Sequence, residues 1–157
     1  MDEEGIIQHL EELNESLEDW KRYREITPED LKQRDKRNMV LYAMLTSIQA
    51  AIDLANHIIA DKGLKKPSTY RESFEILADS NIIPPSLADD LSDLAGFRNV
   101  LVHGYWKLNL KEVYSVLQKD FVFLEEFKRI VRDLLRSSYG SENKAAKVRE
   151  HRKTDFR

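Results

Sequence analysis

Apolar residues recur at helical spacing along most of the chain. Ile6, Leu10, Leu13, Leu17 and Trp20 step by four and three. That places them on one stripe of a helix running to about Tyr23. Thr27-Pro28-Glu29-Asp30 reads as a helix start, with Thr27 as N-cap, Pro28 at the first helical position and acids near the positive end of the dipole. Leu31, Met39, Tyr42, Leu45, Ile48, Ile52, Ala55 and Ile59 carry the next stripe as far as Gly63, a C-cap candidate. Pro67-Ser68-Thr69 opens a short helix bearing Tyr70, Phe74, Leu77 and Ala78. Asn81-Ile82-Ile83-Pro84-Pro85 breaks the pattern, since neither proline fits a helix interior. Ser86 then caps a helix through Leu87, Leu91, Leu94 and Phe97. Asn109-Leu110-Lys111-Glu112 has capping-box form and opens a last long helix through Val113, Leu117, Phe121, Leu124, Phe127, Val131 and Leu134.

No segment reads as a strand; Val100-Leu101-Val102 is too short and lies between helices. The pattern predicts an all-α, up-and-down bundle of about four main helices plus one short extra helix. One domain is expected over residues 1–138, followed by a polar, basic tail over 139–157 that frays in isolation.

Composition narrows the function classes. The chain has 157 residues, enough for one domain with its own core. It has no cysteine, which excludes disulfides, a thiolate nucleophile and any Cys-based metal site. Its 25 Lys and Arg stand against 28 Asp and Glu, a net charge of −3, so any contact with nucleic acid must use a local patch. The charge is unevenly placed: eight acids and no Lys or Arg lie between Asp2 and Asp19, whereas bases outnumber acids from Lys128 to Arg157. Two solvated helix faces and a tail account for this; a basic surface for RNA or an acidic partner is the sharper reading. No stretch approaches the ~20 continuous apolar residues of a membrane helix. The opening Met1-Asp2-Glu3-Glu4 is acidic where a signal peptide would be basic, so a cytoplasmic protein without membrane contact is expected.

Most known chemical motifs are missing. There is no Gly-rich phosphate loop and no HExxH. His9, His57, His103 and His151 are scattered, with no pair at metal-ligand spacing, so neither a metal nor a cofactor is expected. One segment stands apart: Gly96-Phe97-Arg98-Asn99-Val100-Leu101-Val102-His103-Gly104-Tyr105-Trp106. It spells Arg-x4-His-x-Tyr at a junction between helices. On a continuous helix Arg98 and His103 lie about 140° apart around the axis. A helix ending near Val102 would let His103 swing back to share a concavity with Arg98. Arginine is a permanently charged fork suited to phosphate, and histidine suits proton transfer near neutrality. Together they suffice to cleave a phosphodiester by its neighbouring 2′-hydroxyl without a metal. An Arg–carboxylate pair, a histidine satisfying backbone carbonyls and a core tyrosine would explain the same residue types.

Gln49, Asp53 and Asn56 form a polar row on the otherwise apolar second helix. It is either a solvent edge or a semi-buried row that faces the junction and orients Arg98 and His103.

Arg98-Asn99-x-Leu101-Val102-His103-x-Tyr105 resembles the signature of the HEPN superfamily, in its HepT-like branch. Ser47 to His57, Tyr70-Arg71-Glu72 with Phe74 and Leu77, and Leu94 to Asn99 are similar to the same branch, so the likeness spans roughly Arg37 to Leu135. Asn109 departs from it, since relatives often have Asp there. The resemblance implies a metal-independent ribonuclease toxin that dimerises so that two Arg-x4-His motifs face one cleft. It implies that His103 is the general base or acid, that Arg98 holds the scissile phosphate, and that Asn99 orients the site. It further implies that a nucleotidyltransferase antitoxin of the MntA type modifies Tyr105 with AMP. The rival reading is a non-catalytic HEPN module that binds nucleotide or positions a nucleotidyltransferase.

Overall fold

A computed structural model describes the backbone of residues 2–154 and the side chains of residues 2–137. Among the described residues there are six α-helices and no strand: α1 (Glu3–Arg22), α2 (Arg34–Asp61), α3 (Tyr70–Asp79), α4 (Pro85–His103), α5 (Leu110–Lys119) and α6 (Phe121–Thr154). The all-α bundle follows from the stripes. Ile6, Leu13, Leu17 and Trp20 bury one face of α1 against α2 and α6. α2 is the central helix, packing on α1, α3, α4 and α6. It carries an 18-residue window of mean hydropathy 1.2, long and apolar enough to cross a membrane, but 61% of that window is buried inside the bundle. Phe74 of α3 meets Phe127 of α6 edge-to-face, with ring centroids 5.8 Å apart.

The helix ends follow local chemistry. Gly63, at φ +63°, ends α2: its N–H bonds the Ala60 carbonyl and that of Leu64 bonds Ile59, the double bond of a Schellman motif. Asn81, at φ +59°, does the same for α3 through Ala78 and Leu77. Thr69 caps α3 through the Glu72 N–H at 3.1 Å, and Asn109 caps α5.

Four expectations need correction. Thr27 starts not α2 but a separate 3₁₀ turn over Asp30–Lys32, where Thr27 and Asp30 cap each other; extended Gln33 resets the chain before α2. Pro85, not a residue after Ser86, is the first residue of α4, where its missing N–H costs nothing. Met39 and Tyr42, placed on the apolar stripe of α2, are 53% and 69% exposed. The last long helix is two helices, broken at Asp120. In a continuous helix the Leu117 and Gln118 carbonyls would accept from Phe121 and Val122. Instead the Trp20 indole N–H donates to Leu117 at 2.9 Å and the Arg24 guanidinium to Gln118 at 3.2 Å. The helix of α6 runs through Thr154, into the stretch read from the sequence as a polar, basic tail, whose side chains lie outside the described residues.

Charge also ties α1 to α6. Glu125 accepts from Lys21 at 2.7 Å and from Lys128 at 3.0 Å, and Lys128, itself buried, donates to Asn14 at 2.9 Å. Burial pushes the Glu125 carboxyl up, but the two lysine hydrogen bonds outweigh it and hold the group below the ordinary carboxylate range. A carboxyl depressed in the folded state stabilises fully above its unfolded pKa of ~4.3 and loses that contribution as pH falls through the folded value. Urea midpoints should therefore fall between neutral pH and pH ~3, and by less in Glu125→Gln. An equal fall in both proteins would remove Glu125 from the acid sensitivity.

Candidate functional site

The end of α4 is pinned by Phe97 and Leu101, one helical turn apart and both buried. This sets Arg98 on the flank that faces α2. Its Nε donates to Gln49 Oε1 at 2.9 Å, and Gln49 Nε2 donates to Asp53 Oδ1 at 2.9 Å. Because a carboxylate only accepts, Asp53 fixes the Gln49 amide with its oxygen toward Arg98. Arg98 Nη1 donates to Asn99 Oδ1 at 3.2 Å, and the guanidinium lies 5.0 Å over the Tyr70 ring. Among the described residues no salt bridge includes Arg98. The half-buried guanidinium is therefore held by neutral groups, and its charge is left for an anion. This removes the Arg–carboxylate account of Arg98.

Arg98 opens into a cleft of about 480 Å³ that it shares with Asn56, Asn99 and His103. The opposite wall is the start of α3. There Thr69 caps the helix and Ser68 donates its N–H to Glu72 at 2.8 Å; that bond and Lys65 hold the Glu72 carboxyl below its usual range. Asn56 Oδ1 accepts from Ser73 Oγ at 2.6 Å, so its remaining polar atoms are N–H donors. His103 is the exposed last residue of α4, one residue beyond the expected end. Gly104 follows, its N–H on the Val100 carbonyl at 2.8 Å. Arg98 and His103 thus line one open cleft while both still lie on α4, so the expected swing of His103 off the helix end does not occur.

Gln49, Asp53 and Asn56 are semi-buried and face this junction. Tyr105 does not join Arg98 and His103 in the cleft. Its hydroxyl donates to Asn38 Oδ1 at 2.5 Å, and it lines a second cleft of about 370 Å³ with Arg34, Arg37 and Trp106. Sequence reasoning misses Ser73, Asn38 and the contact between Tyr70 and Arg98. Tyr70 has a signal, the Tyr70-Arg71-Glu72 run; Asn38, 67 residues from Tyr105, has none.

The family model described as "Ribonuclease HepT-like" matches residues 13–133. The mRNA nuclease HepT of Shewanella oneidensis is 35% identical over 96 residues, covering 61% of this chain and 72% of its own. The tRNA nuclease HepT of Aphanizomenon flos-aquae is 29% identical over 113 residues, covering 71% and 77%. A solved structure of the tri-AMPylated Shewanella oneidensis HEPN toxin in complex with MNT antitoxin superposes with a TM-score of 0.75 at 29% identity, covering 85% of this chain and 98% of that one. The chain belongs to the ribonuclease HepT-like family of the HEPN superfamily, a family of RNA-cleaving enzymes.

Proposed function

We propose that this protein is a cytoplasmic, metal-independent endoribonuclease toxin that cuts RNA with Arg98 and His103 at a homodimer cleft, and that a nucleotidyltransferase antitoxin silences it by attaching AMP to Tyr105. The observation that carries this reading is the Arg98 guanidinium, free of carboxylate partners among the described residues and sharing an open cleft with His103. The 2′-hydroxyl oxygen attacks the adjacent phosphorus as His103 of one subunit takes its proton. Arg98 neutralises the phosphorane oxygens. The bond from phosphorus to the 5′-oxygen breaks, and that oxygen takes a proton from His103 of the other subunit. The products are a 2′,3′-cyclic phosphate and a 5′-hydroxyl. Gln49, Asp53 and Asn99 hold the guanidinium in place, and Asn56 supplies N–H donors in the cleft.

Exposed Met39 and Tyr42 near the start of α2, and Val100 and Val102 near the end of α4, support the dimer. The Tyr105–Asn38 bond makes these two segments neighbours. The AMPylated toxin of Shewanella oneidensis supports the regulation.

Purified protein is expected to cut RNA at an undiminished rate in EDTA and to leave 2′,3′-cyclic phosphate ends, while RNA with a 2′-deoxy residue at the cut site resists. Chelator-sensitive cleavage restored by Mg²⁺ would replace this mechanism with a metal-assisted one. Tyr105→Phe should cost little beyond one hydrogen bond, ~1 kcal/mol. It should stay active in the presence of the nucleotidyltransferase and ATP, which silence the wild type. Intact mass decides: an AMP increment on the wild type and none on Tyr105→Phe is expected, whereas AMP on Tyr114 would move the regulatory site.

A further inference from the structure

The second cleft has a composition that Tyr105 alone does not explain. Its lining consists of Arg34, Arg37, Tyr105, Trp106, Leu108 and Leu110, with no acidic residue. Trp106 is 92% exposed, against 0% for Trp20. Its ring stands nearly perpendicular to that of Tyr105, with centroids 5.4 Å apart, and its exposure leaves an indole face open to solvent. Neither Arg34 nor Arg37 takes part in a salt bridge among the described residues. Arg37 is fixed by donating Nη1 to the Leu31 and Lys32 carbonyls at 3.3 Å each, so one guanidinium is pre-positioned and the other is exposed. An open aromatic face beside unpaired guanidinium groups is the combination that binds single-stranded nucleic acid, the ring taking a base and the cations a phosphate.

The cleft is also in the right place. His103 lines the first cleft and Tyr105 the second, with only Gly104 between them. Their Cα atoms are at most ~7 Å apart. The two clefts therefore adjoin at Gly104, within one nucleotide's reach of each other.

We infer that the Arg34–Arg37–Trp106 cleft is a nucleotide subsite for the RNA strand next to the scissile phosphate: Trp106 stacks an unpaired base, and Arg34 and Arg37 take the backbone phosphate. This rests on the Arg98–His103 reading of the cutting site. It also gives Tyr105 a reason for its position. An adenylate on the Tyr105 hydroxyl is itself a base with a phosphate, and it would fill the subsite with the chemistry the RNA uses. Silencing then works by occupying a substrate pocket.

The test uses the full chain in a His103→Ala background, so that RNA stays intact, and a short end-labelled single-stranded RNA of mixed sequence as probe. Adding Trp106→Ala should weaken binding at least ~5-fold, the lower end for losing one base–aromatic stack, and Trp106→Phe should restore most of it. Adding Arg34→Ala should weaken binding and lower the slope of log affinity against log salt by ~0.7, the value for one single-strand phosphate contact. Because Trp20 is buried, acrylamide quenching reports Trp106, and saturating RNA should protect it. Undiminished affinity in Trp106→Ala, no protection of Trp106, or a Trp106→Ala protein that turns monomeric while the parent is dimeric would overturn the subsite; the last would make Trp106 a contact between copies. Continued cleavage by His103→Ala would instead sink the Arg98–His103 reading, whatever Trp106 does.

Discussion

His103→Ala is expected to slow RNA cleavage by ~10²- to 10⁴-fold, the range for loss of a positioned acid–base group, with the urea midpoint unchanged. The fold has no stake in this side chain: the His103 ring is exposed and makes no hydrogen bond among the described residues. Arg98→Ala should cost ~10²- to 10³-fold by removing the donors that meet the charge developing on phosphorus. Arg98→Lys should recover little of it. A lysine ammonium lacks the planar fork that bonds Gln49 and Asn99 at once while keeping a face on the Tyr70 ring. Gln49→Ala should act between these limits, because it releases one restraint on the guanidinium and leaves the charge in place. The measurement is single-turnover cleavage of a labelled RNA, with protein folding checked by denaturation. A His103→Ala rate within tenfold of wild type would remove His103 from the chemistry.

Much of this site is legible in the sequence alone. Arg98, Asn99, His103 and Tyr105 lie within eight positions, so one short segment carries the signature. The row of Gln49, Asp53 and Asn56 is visible as polar residues on an apolar helix. Periodicity cannot tell a solvent edge from a buried row, because both give the same spacing. The angle at which α4 meets α2, a tertiary property, decides between them. The separation of Tyr105 from the Arg98–His103 cleft is illegible for the same reason: Gly104 turns the chain, and the partner that fixes the tyrosine, Asn38, lies on another helix. The spacing reads the existence of helices well and their ends less so. The stripe through α2 overruns onto Met39 and Tyr42, which keep the spacing of the stripe but stand exposed. The break at Asp120 has no sequence signal, since no Gly or Pro marks it and the apolar spacing continues through Leu117, Phe121 and Leu124. It depends on side chains from the first quarter of the chain.

Trp20→Ala is the expected stability lesion of largest size. The indole is fully buried, and replacing a buried large aromatic with alanine costs ~3–5 kcal/mol, a large share of a typical domain's ~5–15 kcal/mol. It would also free the Leu117 carbonyl, which in the folded protein takes the indole N–H at 2.9 Å where a continuous helix would offer it Phe121. Trp20→Phe separates these contributions. Phenylalanine keeps most of the apolar volume but cannot donate, so its cost should be that of one unsatisfied buried acceptor, ~1–3 kcal/mol. The alternative relief for that carbonyl is to close the α5–α6 break and take the Phe121 N–H. That would lift α5 from Tyr23 and Arg24 and lose the Gln118–Arg24 hydrogen bonds. Urea unfolding measures the loss. The fraction that remains folded should cut RNA at the wild-type rate, because Trp20 lines neither cleft. A Trp20→Ala midpoint close to that of the wild type would show that the α1–α5 contact does not govern where the helix breaks.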